Sequence, residues 1–316
     1  MGSYDNACDT ILDQCMGVKP GEKVLVVTDD ERLDMGTAIY EAASRKGAVA
    51  TLVRMPVSDV AGEEPPAPVA AAMASADVIV CPTTMSVTHT HARVEACRAG
   101  ARIATMPGIV ESMFSEGPIA ADYAEVERVT RRYADLLTSS HVARIVSGGS
   151  HELTISLEGR AGVASTGVYR HPGEGGNLPS GEAFVAPLED GASGEYLVNG
   201  SVVGVGRLVA PVLLTLDHAR LVGIEGPDAE AVSRSIPDNP ASRTIGELGI
   251  GTNPLARLTG IILEDEKIYG STHIAFGTND DFGGITKAIS HIDCVTLAPE
   301  VYLDDVLVAK DGRLLV

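Results

Sequence analysis

The chain contains no tryptophan and only four phenylalanines among 316 residues. Aromatic platforms for stacking nucleic-acid bases are therefore scarce. Positive charge is short as well: 24 Lys and Arg stand against 43 Asp and Glu, a formal net charge of −19. An acidic chain without a basic stripe is not expected to bind nucleic acid or an anionic membrane surface. The five cysteines (Cys8, Cys15, Cys81, Cys97 and Cys294) are odd in number and form no CxxC pair. Neither a disulfide framework nor a thiolate zinc site is expected; reduced thiols in a cytoplasmic protein are. Long hydrophobic runs are missing too. The most apolar stretch, Val202 to Leu216, is interrupted by Arg207, Pro211 and glycines, and reads as buried strands rather than a membrane span. The opening residues, MGSYDNACDT, lack the basic and apolar regions of a signal peptide. Asn6 stands where a myristoylation signal needs Ser or Thr.

What is present is a balance of 45% hydrophobic and 21% charged residues, that of a globular enzyme with two domains or one large one. The first half alternates strand and helix signals. Lys23–Thr28, Val49–Val53, Asp77–Cys81, Ala101–Met106 and Val142–Val146 are short β-branched or apolar runs. Between them, Leu33–Lys46, Pro68–Ser75, Thr90–Ala99 and Ile119–Leu137 carry helical composition or spacing. This order predicts an α/β domain with a mostly parallel sheet. It is Rossmann-like but not dinucleotide-binding, because the turn after the first strand reads TDDERLD, without glycine and with repelling acids. The GVGRLV around Gly204 and Gly206 is a weak lookalike in the wrong context. A polar segment from Thr83 to Arg93, with His89 and His91, follows the third strand. It reads better as a capped helix start than as a metal site, since two histidines lack a third ligand.

From His151 the helical period fades and turn residues arrive about every ten positions, which predicts a β-rich α+β domain. The boundary is expected near Gly148-Gly149-Ser150, giving an α/β domain over 1–148 and a metal-site domain over 149–316. Four elements there carry chemistry. Glu182 follows a Pro-Ser-Gly turn at the head of an apolar strand. Glu247 lies in the glycine-rich Gly246-Glu247-Leu248-Gly249-Ile250-Gly251, whose glycines permit close backbone approach. His273 lies in an apolar stretch that reads as a helix capped by Ser271 or Thr272. His291 and Asp293 are two apart on a strand and point to one side. Each alone is as easily structural. Together, three carboxylates and two imidazoles suit divalent ions with N/O ligation, two of them if a carboxylate bridges.

At these residues the chain resembles the thermophilic metallo-aminopeptidase family of leucyl aminopeptidases. The segments are LPSGEAFVAP, GELGIGTN, LEDEKIYGSTHIAFG and SHIDCV, in the same order and at similar spacing. The resemblance implies a homodimer of two-domain subunits with a dinuclear Zn, Co or Mn centre held by Glu182, Glu247, His273, His291 and Asp293. It implies a hydrolase acting on a small-molecule or short-peptide substrate, with Glu182 or Glu247 moving the proton of a metal-activated water and Glu266 as an outside candidate. The chain departs from that family in carrying Asp280 where the peptidases have a Tyr, a position Tyr269 or Tyr302 would have to supply. It also resembles 2,5-dihydroxypyridine 5,6-dioxygenase, which shares the HxD element and implies a mononuclear Fe(II) site of two His and one carboxylate. The first His of that triad falls at Glu247. His273, His291 and Asp293 offer a different triad. The expectation is therefore a metallohydrolase, with the iron-dependent ring-opening oxygenase as the alternative.

Overall fold

In the computed structural model, which describes residues 4–316, the first-half strands form a parallel sheet. Its order is Val49–Met55, Lys23–Asp29, Val78–Thr83, Arg102–Pro107, Gly175–Asn177. Every neighbouring pair is parallel. Val78–Thr83 is buried along its whole length, as the central strand of a covered parallel sheet must be. The helix Leu33–Arg45 packs on the first strands. Gly36 allows this, since a Cβ there would overlap the Thr28 side chain. Val69 and Met73 from Ala67–Met73, and Ala96 from His91–Arg98, join Leu25, Val27, Ile79, Cys81 and Ile103 in one apolar cluster. Thr90 caps the latter helix by accepting from Arg93 N, while His89 and His91 are exposed, as the capped-helix reading expects.

One expected parallel strand belongs elsewhere. Val142–Ser147 pairs antiparallel with His151–Ser156 and with Glu300–Leu303. Gly148 and Gly149, both at positive φ, reverse the chain between the first two. The place at the edge of the parallel sheet is taken by Gly175–Asn177, which has no β-branched residue and so gave no strand signal.

The chain divides into two compact units, Met1–Glu127 with Gly167–Ser180, and Arg128–Thr166 with Gly181–Val316. It therefore passes between units three times, where a single boundary near residue 148 was expected. The second unit holds two antiparallel sheets among the described residues. One has eight strands, in the order Arg220–Glu225, Val212–Asp217, Ala192–Val198, His151–Ser156, Val142–Ser147, Glu300–Leu303, Val306–Lys310, Arg313–Leu314. The other has seven, in the order Gly206–Arg207, Ser201–Val202, His291–Thr296, Thr272–Gly277, Ile245–Gly251, Glu182–Val185, Val163–Ser165. Side chains from both sheets form one apolar core, joined by Val129, Tyr133 and Leu137 of the helix Tyr123–Ser139. An α/β region with a parallel sheet and a β-rich region are thus both present. No helix among the described residues is long and apolar enough to cross a membrane.

Candidate metal centre

Four adjacent strands of the seven-stranded sheet carry the candidate ligands, and the period of two decides their face. Ala183, Val185, Leu248, Ile250, Ile274, Phe276, Ile292 and Cys294 enter the core between the sheets. Alternating with them, Glu182 and Phe184, Glu247 and Gly249, His273 and Ala275, and His291 and Asp293 share the opposite face. Strand register then brings them together. Glu247 pairs with Ala275, which pairs with Asp293. Gly249 sits between Phe184 and His273. His273 is therefore on the strand Thr272–Gly277, not on a helix. Ser271 and Thr272 are not caps: their hydroxyls bond the Ile268 carbonyl and Tyr196.

The glycines of Gly246–Gly251 now have specific tasks. A Cβ on Gly249 would overlap Cε1 and Nε2 of His273, so the imidazole lies across the strand where a side chain is missing. A Cβ on Gly251 would strike the backbone of Lys267 and Ile268, so the turn carrying Lys267 rests on that second gap.

All five expected ligands converge. His273 Nε2 lies 3.0 Å from Glu247 Oε1 and 3.5 Å from Glu182 Oε2. His291 Nε2 lies 3.4 Å from both Glu247 Oε2 and Asp293 Oδ1. Nδ1 of His291 is 2.8 Å from the Thr278 carbonyl, which can only accept, so Nδ1 carries a proton and Nε2 is the nitrogen turned to the carboxylates, free to bind a metal once its own proton leaves. Burial disfavours the charged form of each group here, but mutual pairing outweighs it. His273 is raised to about 9, against burial, by its hydrogen bond to Glu247 and by the charges of Glu182, Glu247 and Asp293. His291 is raised too, against burial, by Asp293 and Glu247. Glu247 is lowered to about 2, against burial, by the two imidazoles.

Two further groups belong to the cluster. Lys267, fully buried, places Nζ 2.8 Å from Glu182 Oε1 and in contact with Glu266 Oε1. Burial pushes Glu266 up to about 8 despite the ammonium beside it. The three consecutive acids have separate tasks. Glu264 accepts from Arg257. Asp265 accepts from the backbone of Thr259 and Gly260. Only Glu266 reaches the cluster. Lys267 escaped the sequence reading because a lysine after a run of acids looks like solvated surface; the apolar strand that follows was the only sign of burial. Phe282 was missed as well. Its ring meets Phe184 edge-on at 5.2 Å and His291 at 6.1 Å. Asp280 is on the surface of the same loop, bonded to Thr278 and paired with Lys287. Tyr302 instead bonds Glu300 and lies under Arg144, and Tyr269 packs on the core.

The donors fit a divalent cation. Ligand atoms of Glu247, His273 and Asp293 lie within 4.8 Å of one another, as do those of Glu182, Glu266 and His273. Glu182 Oε2 is buried without a hydrogen-bond partner, as is Nδ1 of His273. A buried carboxylate oxygen left so is costly unless a cation meets it.

The profile of the NicX family, 2,5-dihydroxypyridine 5,6-dioxygenase, matches residues 4–316. The chain belongs to the 2,5-dihydroxypyridine 5,6-dioxygenase family. A curated relative of that name from Pseudomonas putida is 25% identical over 261 residues, 76% of this chain and 71% of its own. The solved structure of 2,5-dihydroxypyridine dioxygenase from Pseudomonas putida KT2440 superposes with a TM-score of 0.84 at 21% identity, covering 100% of this chain and 98% of the other. AmpT from Thermus thermophilus superposes with a TM-score of 0.71 at 18% identity, covering 99% of each chain. At such identity these structures establish a shared fold. The expectation of a metallohydrolase of the aminopeptidase type is corrected here: the family and the curated relative are dioxygenases. The hydrolytic reading rested on carboxylates at Glu182 and Glu247. Those side chains are engaged by Lys267, His273 and His291, which the motif did not reveal.

Proposed function

We propose that the protein is a metal-dependent ring-opening dioxygenase acting on a hydroxylated six-membered heteroaromatic ring of the 2,5-dihydroxypyridine type. One Fe(II) would be held by His273, His291 and Asp293, with Glu247 between the imidazoles. The observation that carries this reading is the convergence of two imidazoles and buried carboxylates on one sheet face in a member of a dioxygenase family. The resemblance had placed a triad histidine at Glu247. His273 on the adjacent strand supplies the second imidazole instead.

Held by two histidines and one carboxylate, iron would supply one-electron chemistry that relieves the spin barrier between an aromatic substrate and O₂. The chain's own residues prepare the site. The Thr278 carbonyl fixes the His291 tautomer. Glu247, ionised throughout the neutral range, offsets cationic charge between the rings. Phe184 and Phe282 form an aromatic wall beside His291, suited to a planar ring and unsuited to water. Half of the chain's four phenylalanines are spent there.

The reading is tested with ¹⁸O₂. Iron-loaded protein incubated with 2,5-dihydroxypyridine is expected to yield a ring-opened product carrying both labelled atoms. A product labelled only from H₂¹⁸O, or ring opening without O₂, would refute it.

A further inference from the structure

The cluster contains two candidate cation positions that share His273: one among Glu247, His273 and Asp293, the other among Glu182, Glu266 and His273. They differ in one respect. The second already has a cation in it. Nζ of Lys267 contacts Glu266 Oε1 and lies 2.8 Å from Glu182 Oε1, and the side chain has no exposure to solvent. Among the described residues no Lys or Arg pairs with Glu247 or Asp293 of the first, whose carboxylates face the His273 and His291 imidazoles, groups that can give up a proton and bind the metal themselves.

We propose that Lys267 is an internal cation that fills the second position and restricts the centre to a single metal ion. The inference rests on the metal-centre reading above and adds what sets its stoichiometry. An ammonium and a divalent ion compete for the same carboxylate oxygens, and two cations in contact repel strongly in a buried site, where solvent screens them little. The ammonium is tethered, so it needs no uptake from solution. Its delivery is built into the backbone. Asn253 N donates to the Lys267 carbonyl, and the turn lies on Gly251, where a side chain would displace it. Asp265 bonds to Thr259 and Gly260 and fixes the approach to the turn. Lys267 is thus a positioning residue for charge, acting through Glu182 and Glu266.

The test is metal counting by equilibrium dialysis of the full chain against Co(II), with Co(II) absorption and EPR spectra as a second readout. Wild type is expected to take up one ion per chain, with the spectrum of an isolated centre. Lys267→Met removes the ammonium and keeps the stem; it is expected to take up two ions and show spin coupling between them. Lys267→Arg, which keeps the charge, is expected to stay at one. Two tightly held ions in wild type, or a folded Lys267→Met that still binds one, would overturn the proposal. If Lys267→Met unfolds without metal, the same count is made on Lys267→Gln, which removes the charge and keeps hydrogen bonds to Glu182 and Glu266; one ion in that variant would equally overturn the proposal. A protein with one ion and no O₂ chemistry would leave this inference standing and remove the oxygenase reading. An active oxygenase with two ions would do the reverse.

Discussion

At the scale of the residue, the centre depends on what is absent beside each ligand as much as on the ligand. Gly249 is the clearest case, since the His273 imidazole occupies the space of its missing side chain. Gly249→Ala is expected to destabilise the fold by about 1–3 kcal/mol through overpacking. It should also weaken metal binding far more than the same change at exposed Gly159. Unchanged metal affinity in folded Gly249→Ala would show that His273 is not a ligand. Protons compete for the same atoms. In the metal-free protein His273 is raised from 6.5 to about 9, so its contribution to stability is complete below pH 6.5 and lost as pH rises through 9. Glu247 is lowered from 4.5 to about 2, so its contribution is complete above pH 4.5 and lost as pH falls through 2. Chelated protein should therefore melt highest between pH 4.5 and 6.5, as far as these two groups decide it. A bound metal needs both imidazoles deprotonated, so the gain in Tm on adding metal should grow from pH 6.5 to 9. A gain independent of pH, read by differential scanning fluorimetry, would contradict imidazole ligation.

At the scale of the element, the loop from Thr278 to Ser290 holds the aromatic wall over the sheet face. Buried Asn279 stitches it: Nδ2 donates to the Gly246 carbonyl and Oδ1 accepts from Thr286 N. Asn279→Ala leaves those partners unsatisfied at a cost of about 1–3 kcal/mol and frees Phe282. It is expected to raise KM for the aromatic substrate while metal content stays at the wild-type level. A raised KM that merely follows metal loss would contradict a separate role for the loop. The strands themselves were largely legible. His291 and Asp293 read as a same-face pair, and Glu182 as the head of a strand, because alternation in a half-buried strand is a strong pattern. The strand of His273 was not: Ser271 and Thr272 mimic a helix cap, and a strand buried on both faces loses its alternation. Gly249 and Gly251 were legible only as permissive backbone. Which groups fill their gaps, His273 for Gly249 and the Lys267–Ile268 backbone for Gly251, depends on chain well beyond the local sequence.

At the scale of the whole molecule, fold and chemistry separate. AmpT and the Pseudomonas putida dioxygenase structure share this architecture at 18% and 21% identity, so the architecture survives wide divergence of sequence and does not by itself name an activity. The ligand motif was readable as a peptidase centre for the same reason. In this chain the candidate ligands are surrounded by Lys267 beside Glu182 and Phe282 beside His291, with Asp280 turned to the surface. A homodimer is proposed, since two-fold pairing is the commonest closed assembly. With a net charge of −19, its contact must be locally apolar or matched in charge. Light scattering should give twice the 32.8 kDa of one chain, and a single-chain mass at micromolar concentration would contradict pairing.

The most direct measurement is O₂ uptake by protein loaded anaerobically with Fe(II) and mixed with 2,5-dihydroxypyridine at an oxygen electrode. The expected result is one O₂ consumed per ring lost, with uptake abolished in His291→Ala and Asp293→Ala, both still folded by circular dichroism. Iron-loaded wild type that consumes no O₂ with this or any related dihydroxylated ring, or a His291→Ala variant that retains full uptake, would contradict it.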